Sequence, residues 1–256
     1  MSARGYRRTC LALAVFLVAA LAGLVLAAGQ LRQAEARLRL ARTLDLAPGH
    51  AVQTVPPVWE SGLRRVLVAG DSRIARWAPA LSVPGQDLYF SGIGGETTLE
   101  LRRRMERDLP VFAPDHLVLA AGINDLVAAS LNPAEAETVL PALAGNLQAV
   151  SAQARAAGSA VTLLTIVPPA RPGLRRRALF WSDSIYDLTA RANARIRALD
   201  APGAGITVFD AAALFDAPPG GPLPAEFAAD ALHFNTRTYE RLNAALTETL
   251  SGALDG

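Results

Sequence analysis

Three side chains in this sequence have the types and spacing that nucleophilic catalysis by a serine requires. Ser72 follows the apolar run 66–70 in the stretch VLVAGDSRIARW, so it lies at a turn between a predicted strand and a predicted helix. Such a turn exposes the hydroxyl beside free helix N–H groups, which favour negative charge. His233 lies three residues after Asp230, close enough for the carboxylate to orient the imidazole as a base. The three residues together predict a catalytic triad.

A glycine and an asparagine at two other predicted turns are candidates for binding an oxyanion. Gly95 lies in the segment SGIGGE after a second apolar run, and Asn124 lies in GIND after a third. Glycine permits close approach of the backbone, so the Gly95 N–H can point into a site, and the Asn124 amide can supply another donor. With the Ser72 N–H, the candidate donors to a tetrahedral intermediate number three.

Five short apolar runs alternate with longer amphipathic stretches after residue 60. The apolar runs cover 65–70, 87–92, 116–122, 160–167 and 206–210, and the helical patterns cover 96–107, 134–157, 185–199 and 237–250. Near-continuous Val, Leu and Ile runs between helices are typical of a parallel sheet that is covered on both faces. The ligand site of such a sheet lies beyond the carboxyl ends of its strands, which is where Ser72, Gly95 and Asn124 are expected.

Taken in order, four short segments resemble the blocks of the GDSL/SGNH hydrolase superfamily. The segments are 70–72, 91–96, 122–125 and 230–233, and the similarity covers about residues 64–250. The resemblance implies an α/β fold of the flavodoxin-like type: a three-layer α/β/α sandwich around a mainly parallel five-stranded sheet, in a domain at 61–256. It also implies an enzyme of the serine esterase or lipase type that needs no metal and no organic cofactor.

The resemblance assigns a role to each residue of the candidate site. Ser72 attacks an acyl carbonyl, His233 takes the proton of the serine, and Asp230 orients His233. The superfamily's oxyanion-hole positions correspond to Ser72, Gly95 and Asn124. We therefore expect an acyl-enzyme formed on Ser72.

The sequence departs from the commonest superfamily pattern at two positions. Arg73 follows the serine where an apolar residue is usual, and Phe90 stands where the second block often begins with asparagine. Arg73 is expected either to approach an anionic substrate or to point to solvent. Trp181, which follows the arginine run 175–177 in a loop after the fourth strand, is a second candidate for substrate binding. The runs 102–104 and 175–177 are otherwise expected to be solvated faces.

Each candidate residue also has an ordinary structural interpretation. Ser72 taken alone is among the preferred helix N-caps, and Asn124 and Asp230 are of types that cap helices or turns as well. Gly95 can serve a turn, and His233 can be a structural histidine. Their joint occurrence in one order, at the same end of one predicted sheet, favours the catalytic interpretation.

Composition excludes several classes of function. All 25 basic residues are arginine, and the absence of lysine excludes Schiff-base chemistry and a lysine-held pyridoxal cofactor. A single Cys10 leaves no intramolecular disulfide and no cysteine metal cluster. Residues 1–45 carry seven arginines against two acids, so the formal charge of +2 becomes −3 for the rest of the chain. An acidic folded part argues against nucleic acid as a partner.

The segment 10–28 is a candidate transmembrane helix. It holds nineteen uncharged residues after Arg4, Arg7 and Arg8 in the short basic segment 1–9. That length is near the roughly 20 residues that span a bilayer. The preceding arginines favour a cytoplasmic N-terminus, with the main domain on the periplasmic or extracellular side. The alternative is a signal peptide cleaved after Gly29, which would leave a secreted protein. The segment 29–60 is predicted to be a helical stalk, continuing the anchor helix, and a linker.

Three hypotheses about function follow from these patterns. The first is a membrane-anchored serine esterase that acts on a small-molecule ester or an ester of the cell envelope, such as an O-acetyl group or a lipid ester. The second is an O-acyltransferase that passes the same acyl group to a glycan. The third is a non-catalytic envelope-binding module with the same fold. The acyl chain, the alcohol and the oligomeric state are not fixed by the sequence.

Overall fold

Five parallel strands form the centre of the fold. The structure is a computed structural model that describes residues 3–44, 54–218 and 220–252. The strand order in the sheet is β2-β1-β3-β4-β5, the doubly wound order of flavodoxin-like folds. The predicted five-stranded sheet is confirmed, with every pairing parallel. The strands are β1 Arg64–Gly70, β2 Gln86–Gly92, β3 His116–Ala120, β4 Ala160–Leu164 and β5 Ile206–Phe209.

Helices connect the strands and flank the sheet. The four predicted helical patterns are present with their ends shifted by a few residues. Two helices of nine and seven residues have no counterpart among those patterns, because so short a helix shows little periodicity in a sequence. The helices are α1 Ala3–Thr43, α2 Ser72–Ala75, α3 Thr98–Phe112, α4 Ile123–Leu131, α5 Ala136–Ala156, α6 Leu174–Phe180, α7 Ser184–Arg197 and α8 Thr236–Gly252.

The core lies on both faces of the sheet, as the near-continuous apolar strands predict. Leu67 and Leu117 are fully buried in a cluster with side chains of α3, α4, α5 and α7. Val66 and Val118, one position away in the same strands, are fully buried in a second cluster with side chains of α2 and α8. Successive strand residues point to opposite faces, so the architecture is the expected three-layer α/β/α sandwich.

Two glycines at the carboxyl edge of the sheet permit unusually close packing. Gly70 lies opposite Gly92 in β2 and opposite Ala120 in β3. A Cβ atom at Gly70 would lie 1.9 Å from the Ala120 carbonyl oxygen, and one at Gly92 would lie 2.1 Å from the Ala75 nitrogen. Glycine at both positions therefore allows α2 to sit directly against the ends of the strands. This packing brings the residues after β1, β2 and β3 to one place.

The first helix is long enough to combine a membrane span with a domain contact. The helical stretch Leu13–Thr43 is long and apolar enough to cross a membrane, by length and composition. Its apolar side chains face outward, with Leu17 and Leu24 both well exposed. A helix that is apolar on all sides and not buried in protein is typical of a membrane segment. The membrane role of 10–28 stays a prediction.

The predicted stalk is helical and continues the anchor helix, but it is not a free spacer. Asn132 Nδ2 donates to the Ala36 carbonyl at 3.0 Å, and Arg32 donates to the Trp181 carbonyl at 3.3 Å. Ala36 and Thr43 are buried. The last turns of α1 are therefore part of the folded domain. Residues 45–53 of the predicted linker, with His50, lie outside the described residues.

Candidate active site

Ser72 is the first residue of α2, immediately beyond the end of β1 and Asp71. Asp71, rather than Ser72, is the N-cap of this helix, because its side chain accepts a hydrogen bond from the Arg73 N–H at 2.9 Å. The interpretation of Ser72 as a helix cap is therefore wrong. Instead, Ser72 Oγ lies 3.0 Å from His233 Nε2.

The other nitrogen of the imidazole is held by a carboxylate. His233 Nδ1 lies 2.7 Å from Asp230 Oδ2. Partial burial acts to raise the pKa of Asp230, but hydrogen bonds from the His233 ring and from the Leu232 and His233 N–H groups outweigh it and lower the pKa to about 2. An ionised carboxylate only accepts hydrogen bonds, so Nδ1 carries the hydrogen and Nε2 presents its lone pair to the Ser72 hydroxyl. The three predicted residues form one hydrogen-bond chain.

Asp230 also shapes the turn that carries the histidine. Its Oδ1 accepts hydrogen bonds from the Leu232 N–H at 2.8 Å and from the His233 N–H at 2.9 Å. One carboxylate oxygen thus fixes the backbone of the turn and the other fixes the ring. The capping and catalytic interpretations of Asp230 are compatible in this geometry.

The candidate oxyanion residues follow three neighbouring strands whose ends are in register. Gly95 has φ +75°, a left-handed conformation that favours glycine. Asn124 Nδ2 donates to the Glu96 carbonyl at 3.0 Å, so the asparagine lies against the Gly95 loop. The N-cap of α4 is Gly122, without a side-chain capping bond, so the interpretation of Asn124 as a helix cap is wrong. The role of Ser72, Gly95 and Asn124 as oxyanion donors stays a prediction.

The sequence profile of the GDSL-like lipase/acylhydrolase family matches residues 58–241. The chain belongs to that family. The matched range is well over half of the chain and contains all three residues of the hydrogen-bond chain together with Gly95 and Asn124. The protein is an ester-hydrolysing enzyme of the acylhydrolase type.

Solved structures with the same fold come from several bacteria. A GDSL-like lipase from Bacteroides thetaiotaomicron is 22% identical with a TM-score of 0.57, over 78% of this chain and 93% of that one. A lipase/acylhydrolase from Enterococcus faecalis is 23% identical with a TM-score of 0.53, over 75% and 97%. An acetylxylan esterase from Geobacillus stearothermophilus is 20% identical with a TM-score of 0.54, over 72% and 93%. These similarities establish the fold. No curated protein sequence matches the sequence of this chain.

Arg73 joins the nucleophile turn to the loop that carries the base. Its Nε donates to the Leu232 carbonyl at 2.9 Å and its Nη1 to the Val167 carbonyl at 2.7 Å. Its guanidinium carbon lies 4.3 Å from the centre of the Phe234 ring. Leu232 and Phe234 flank His233, so Arg73 holds both neighbours of the base. The side chain is 7% exposed, which makes the prediction that it points to solvent wrong. Burial lowers the pKa of Arg73 to about 10, so the guanidinium stays charged at neutral pH.

A buried ion pair supports the Gly95 loop of the acylhydrolase. Arg104 donates to both carboxylate oxygens of Glu96, at 2.7 and 2.8 Å, and to Ser91 Oγ at 2.6 Å. The side chains of Arg104 and Glu96 are 3% and 5% exposed. The prediction that 102–104 is a solvated face is therefore wrong for Arg104. Glu96 precedes α3 rather than lying in it, so helical spacing gives no signal for this pair.

A groove of about 610 Å³ adjoins Asp230. Its lining includes Arg171, Arg176 and Asp230 among proline, alanine and leucine side chains. The groove lies on the Asp230 side of the His233 ring, whereas Nε2, the nitrogen that returns the proton to the departing alcohol in a serine hydrolase, faces Ser72. It is therefore suited to a distal part of the alcohol portion of an ester, away from the bond that breaks. Its two guanidinium groups favour an anionic alcohol.

The arginine run 175–177 lies in α6, and its members and Trp181 occupy different environments. Arg176 is half-buried and lines the groove, with its guanidinium carbon 5.8 Å from the Trp181 ring centre. Arg177 is exposed and pairs with Asp183 at 3.0 Å. The Trp181 side chain is 4% exposed and packs in the core rather than lining the groove. Arg176 is therefore a better candidate than Trp181 for contact with substrate.

We expect Ser72→Ala to lower kcat for an aryl ester by about 10⁴-fold or more, because the nucleophile is lost. Its melting temperature should stay nearly unchanged, because the half-buried hydroxyl contributes little packing. His233→Ala should behave similarly, whereas Asp230→Ala should retain more activity, since orienting a base matters less than having one. Ester hydrolysis and thermal unfolding, measured on the same preparations, test this. A folded Ser72→Ala enzyme with most of its activity would remove Ser72 from the mechanism.

We expect kcat/KM to rise with pH from acid conditions, because the reaction requires an unprotonated His233 imidazole to accept the serine proton. Asp230, with a pKa of about 2, is already ionised in mildly acid solution and does not contribute to this rise. Asp125 is the competing origin of a rise near neutral pH, because burial raises its pKa to about 7 although it accepts hydrogen bonds from the Thr98 N–H and hydroxyl. The pH–rate profile of Asp125→Asn separates the two groups. The rise should persist in this variant, and its disappearance would assign the titration to Asp125.

Proposed function

We propose that this acylhydrolase is a membrane-anchored serine esterase that hydrolyses acyl esters of the cell envelope through an acyl-enzyme on Ser72. The observation that carries the proposal is the unbroken chain from Ser72 Oγ to His233 Nε2 at 3.0 Å and from His233 Nδ1 to Asp230 at 2.7 Å. A structural serine, histidine and aspartate have no need of this order or of these distances. They are the geometry of a nucleophile, its base and the group that orients the base.

In the first half of the reaction, Ser72 Oγ attacks the carbonyl carbon of the ester while His233 Nε2 takes the hydroxyl proton. The oxyanion that forms accepts hydrogen bonds from the Ser72 and Gly95 N–H groups and the Asn124 amide. As the tetrahedral intermediate collapses, the bond from carbon to the alcohol oxygen breaks, and His233 gives its proton to that oxygen. Asp230 stabilises the imidazolium throughout. The products are the free alcohol and acyl-Ser72.

In the second half, water takes the place of the alcohol. His233 removes a proton from the water as its oxygen attacks the acyl carbonyl, and then returns a proton to Ser72 Oγ as the acyl bond to serine breaks. The carboxylic acid leaves and the enzyme is restored. An O-acyltransferase would use the same site with a glycan hydroxyl in the place of water, so the two functions differ only in the acceptor.

The groove beside Asp230 supports a proposal about the substrate. We assign the alcohol portion of the ester to this groove, where Arg171 and Arg176 provide positive charge. Phosphate and carboxylate groups suit guanidinium donors because both can accept two parallel hydrogen bonds. The proposed substrate is therefore an O-acyl ester of an anionic envelope molecule, either an acidic glycan or a phosphate-bearing lipid.

The anchor proposal rests on the composition and exposure of α1. Residues 10–28 hold no charge, and the described side chains as far as residue 27 are exposed. The short segment 1–9 with its three arginines favours a cytoplasmic N-terminus, which places the catalytic domain on the opposite side of the membrane. A domain in that compartment meets envelope esters directly.

The full-length enzyme in detergent should hydrolyse aryl esters. A panel of such esters tests this, with acyl groups from acetate to palmitate and with neutral and anionic alcohols. We expect free acid as the product, turnover that depends on Ser72, and a KM several-fold lower for the anionic alcohols. Analysis with and without a carbohydrate acceptor separates the functions, because acyl-glycan in place of free acid identifies a transferase. If the protein hydrolyses none of the esters and its Ser72 does not react with a fluorophosphonate, the result would favour the non-catalytic binding module.

Two neighbouring arginines of α6 form a matched pair for the anion preference. Arg176→Gln should raise KM for anionic esters and leave KM for neutral esters unchanged. Arg177→Gln should change neither, because Arg177 is exposed and pairs with Asp183 outside the groove. Equal effects of the two substitutions would show that the net charge of α6, and not the groove, sets the preference.

Full-length protein should remain with the membrane fraction after a high-salt wash and should be released by detergent. An uncharged helix of this length is retained because its apolar side chains are buried in the hydrocarbon core of the bilayer, which salt does not disrupt. A membrane-impermeant fluorophosphonate should label Ser72 in intact spheroplasts, while Ser72→Ala stays unlabelled. Labelling that needs permeabilised cells would place the domain in the cytoplasm. A soluble species that begins near Gln30 would identify 10–28 as part of a cleaved signal peptide.

A further inference from the structure

Arg42, near the end of α1, contacts the loop that carries Gly95. Its Nη2 donates to the Gly95 carbonyl at 3.1 Å. Its Nε and Nη2 donate to the two carboxylate oxygens of Glu100 at 2.8 to 3.0 Å. A residue of the predicted stalk is thus bonded to a residue of the predicted oxyanion hole.

Glu100 connects this contact to the start of α3. The Glu100 carboxylate accepts from the Thr97 N–H at 2.9 Å, and the Thr97 hydroxyl in turn caps the helix at the Glu100 N–H. The Glu100 and Arg42 side chains are 5% and 19% exposed. One guanidinium therefore contacts both the carbonyl of Gly95 and the carboxylate that bonds Thr97, two residues further along the loop.

The backbone of Gly95 is a place where a restraint from outside the loop has a large effect. Glycine has the widest backbone freedom of any residue, and a Cβ placed on Gly95 would meet nothing within 4 Å, so neighbouring side chains do not confine it. On the far side of the loop, Arg104 pairs with Glu96 and Asn124 donates to the Glu96 carbonyl. The hydrogen bond from Arg42 to the Gly95 carbonyl restrains the residue immediately before these contacts.

We propose that Arg42 is a positioning residue that holds the Gly95 loop in the orientation needed to bind the oxyanion, so that the juxtamembrane end of α1 completes the active site. The proposal rests on the proposed function, because it assigns Arg42 to the same acyl-enzyme chemistry. It also means that the predicted stalk acts in catalysis as well as in attachment. Arg42 itself does not contact the triad residues and is not assigned a chemical step.

The test compares variants of the full-length enzyme in detergent, with p-nitrophenyl acetate as the probe. Arg42→Ala should lower kcat about 10- to 100-fold, less than the 10²–10³-fold typical of deleting an oxyanion donor, because the donor stays but is held less firmly. KM should change by less than about threefold, since an oxyanion contact acts mainly on the transition state. The pH–rate profile should keep its shape, because His233 is untouched.

Three further variants separate positioning from loss of structure. Arg39→Ala is the matched control, since Arg39 lies one turn earlier in α1 and pairs with Glu35 of the same helix; it should keep full kcat. Arg42→Ala removes a guanidinium that is bonded to the buried Glu100 carboxylate, so Arg42→Ala/Glu100→Gln should recover melting temperature without recovering kcat. Arg42→Lys, which keeps the charge but lacks the fork, should give an intermediate kcat.

The outcomes are distinguishable from failure of the proposed function. If Ser72→Ala is inactive while Arg42→Ala keeps wild-type kcat, the serine mechanism stands and the positioning role is wrong. If kcat of the double variant returns together with its melting temperature, Arg42 acts through stability alone and the proposal is also wrong. A low kcat in a stable double variant, beside a normal Arg39→Ala enzyme, supports the proposal.

Discussion

The 3.0 Å contact between Ser72 Oγ and His233 Nε2 joins residues that are 161 positions apart in the chain. Neither turn can hold the other through local structure, so the sheet must bring them together. The register of β1 with its two neighbours, with Gly70 opposite both Gly92 and Ala120, sets where the nucleophile turn begins. Bulk at either glycine would push α2 away from the edge of the sheet. The geometry of the Ser72–His233 pair therefore depends on backbone packing at the edge of the sheet.

Two buried arginines and one partly buried arginine connect the turns that the sheet brings together. Arg73 bonds two carbonyls to hold the His233 loop, Arg104 bonds Glu96 to hold one side of the Gly95 loop, and Arg42 bonds Glu100 and Gly95 to hold the other. Burying a cation is costly unless its donors are satisfied. The planar guanidinium has five donors in a fixed arrangement and can bridge two segments at once. Because all 25 basic residues of this chain are arginine, each of its basic side chains can bridge two segments in this way.

The parts of the molecule that could be predicted from the sequence are those with local signals. Ser72 follows an apolar run at a turn, and Asp230 and His233 share one short loop, so their types and spacing were enough. Arg104 was misjudged because it lies in a run of three arginines, and composition cannot show which member of a run turns inward. The contact between Arg42 and the Gly95 loop joins segments 53 positions apart. An arginine-rich helix that is solvated and one that docks on a domain have the same sequence pattern, so this contact could not be predicted.

The length of α1 between its apolar run and Arg42 bears on what the enzyme can reach. Arg42 lies fourteen residues beyond Ala28, which is about 21 Å along a continuous helix. The polar layer on each side of a bilayer is roughly 5–8 Å thick. With 10–28 in the membrane, the Gly95 loop therefore stands beyond the headgroups, because the helix that crosses the bilayer is the one that docks on the domain. An ester buried at the glycerol backbone of a bilayer lipid lies too deep for this site, whereas an acyl group on a glycan that extends from the surface lies at its height. With the proposed anchor and the proposed groove for an anionic alcohol, the length of α1 thus favours an acidic glycan over a membrane lipid as the carrier of the ester.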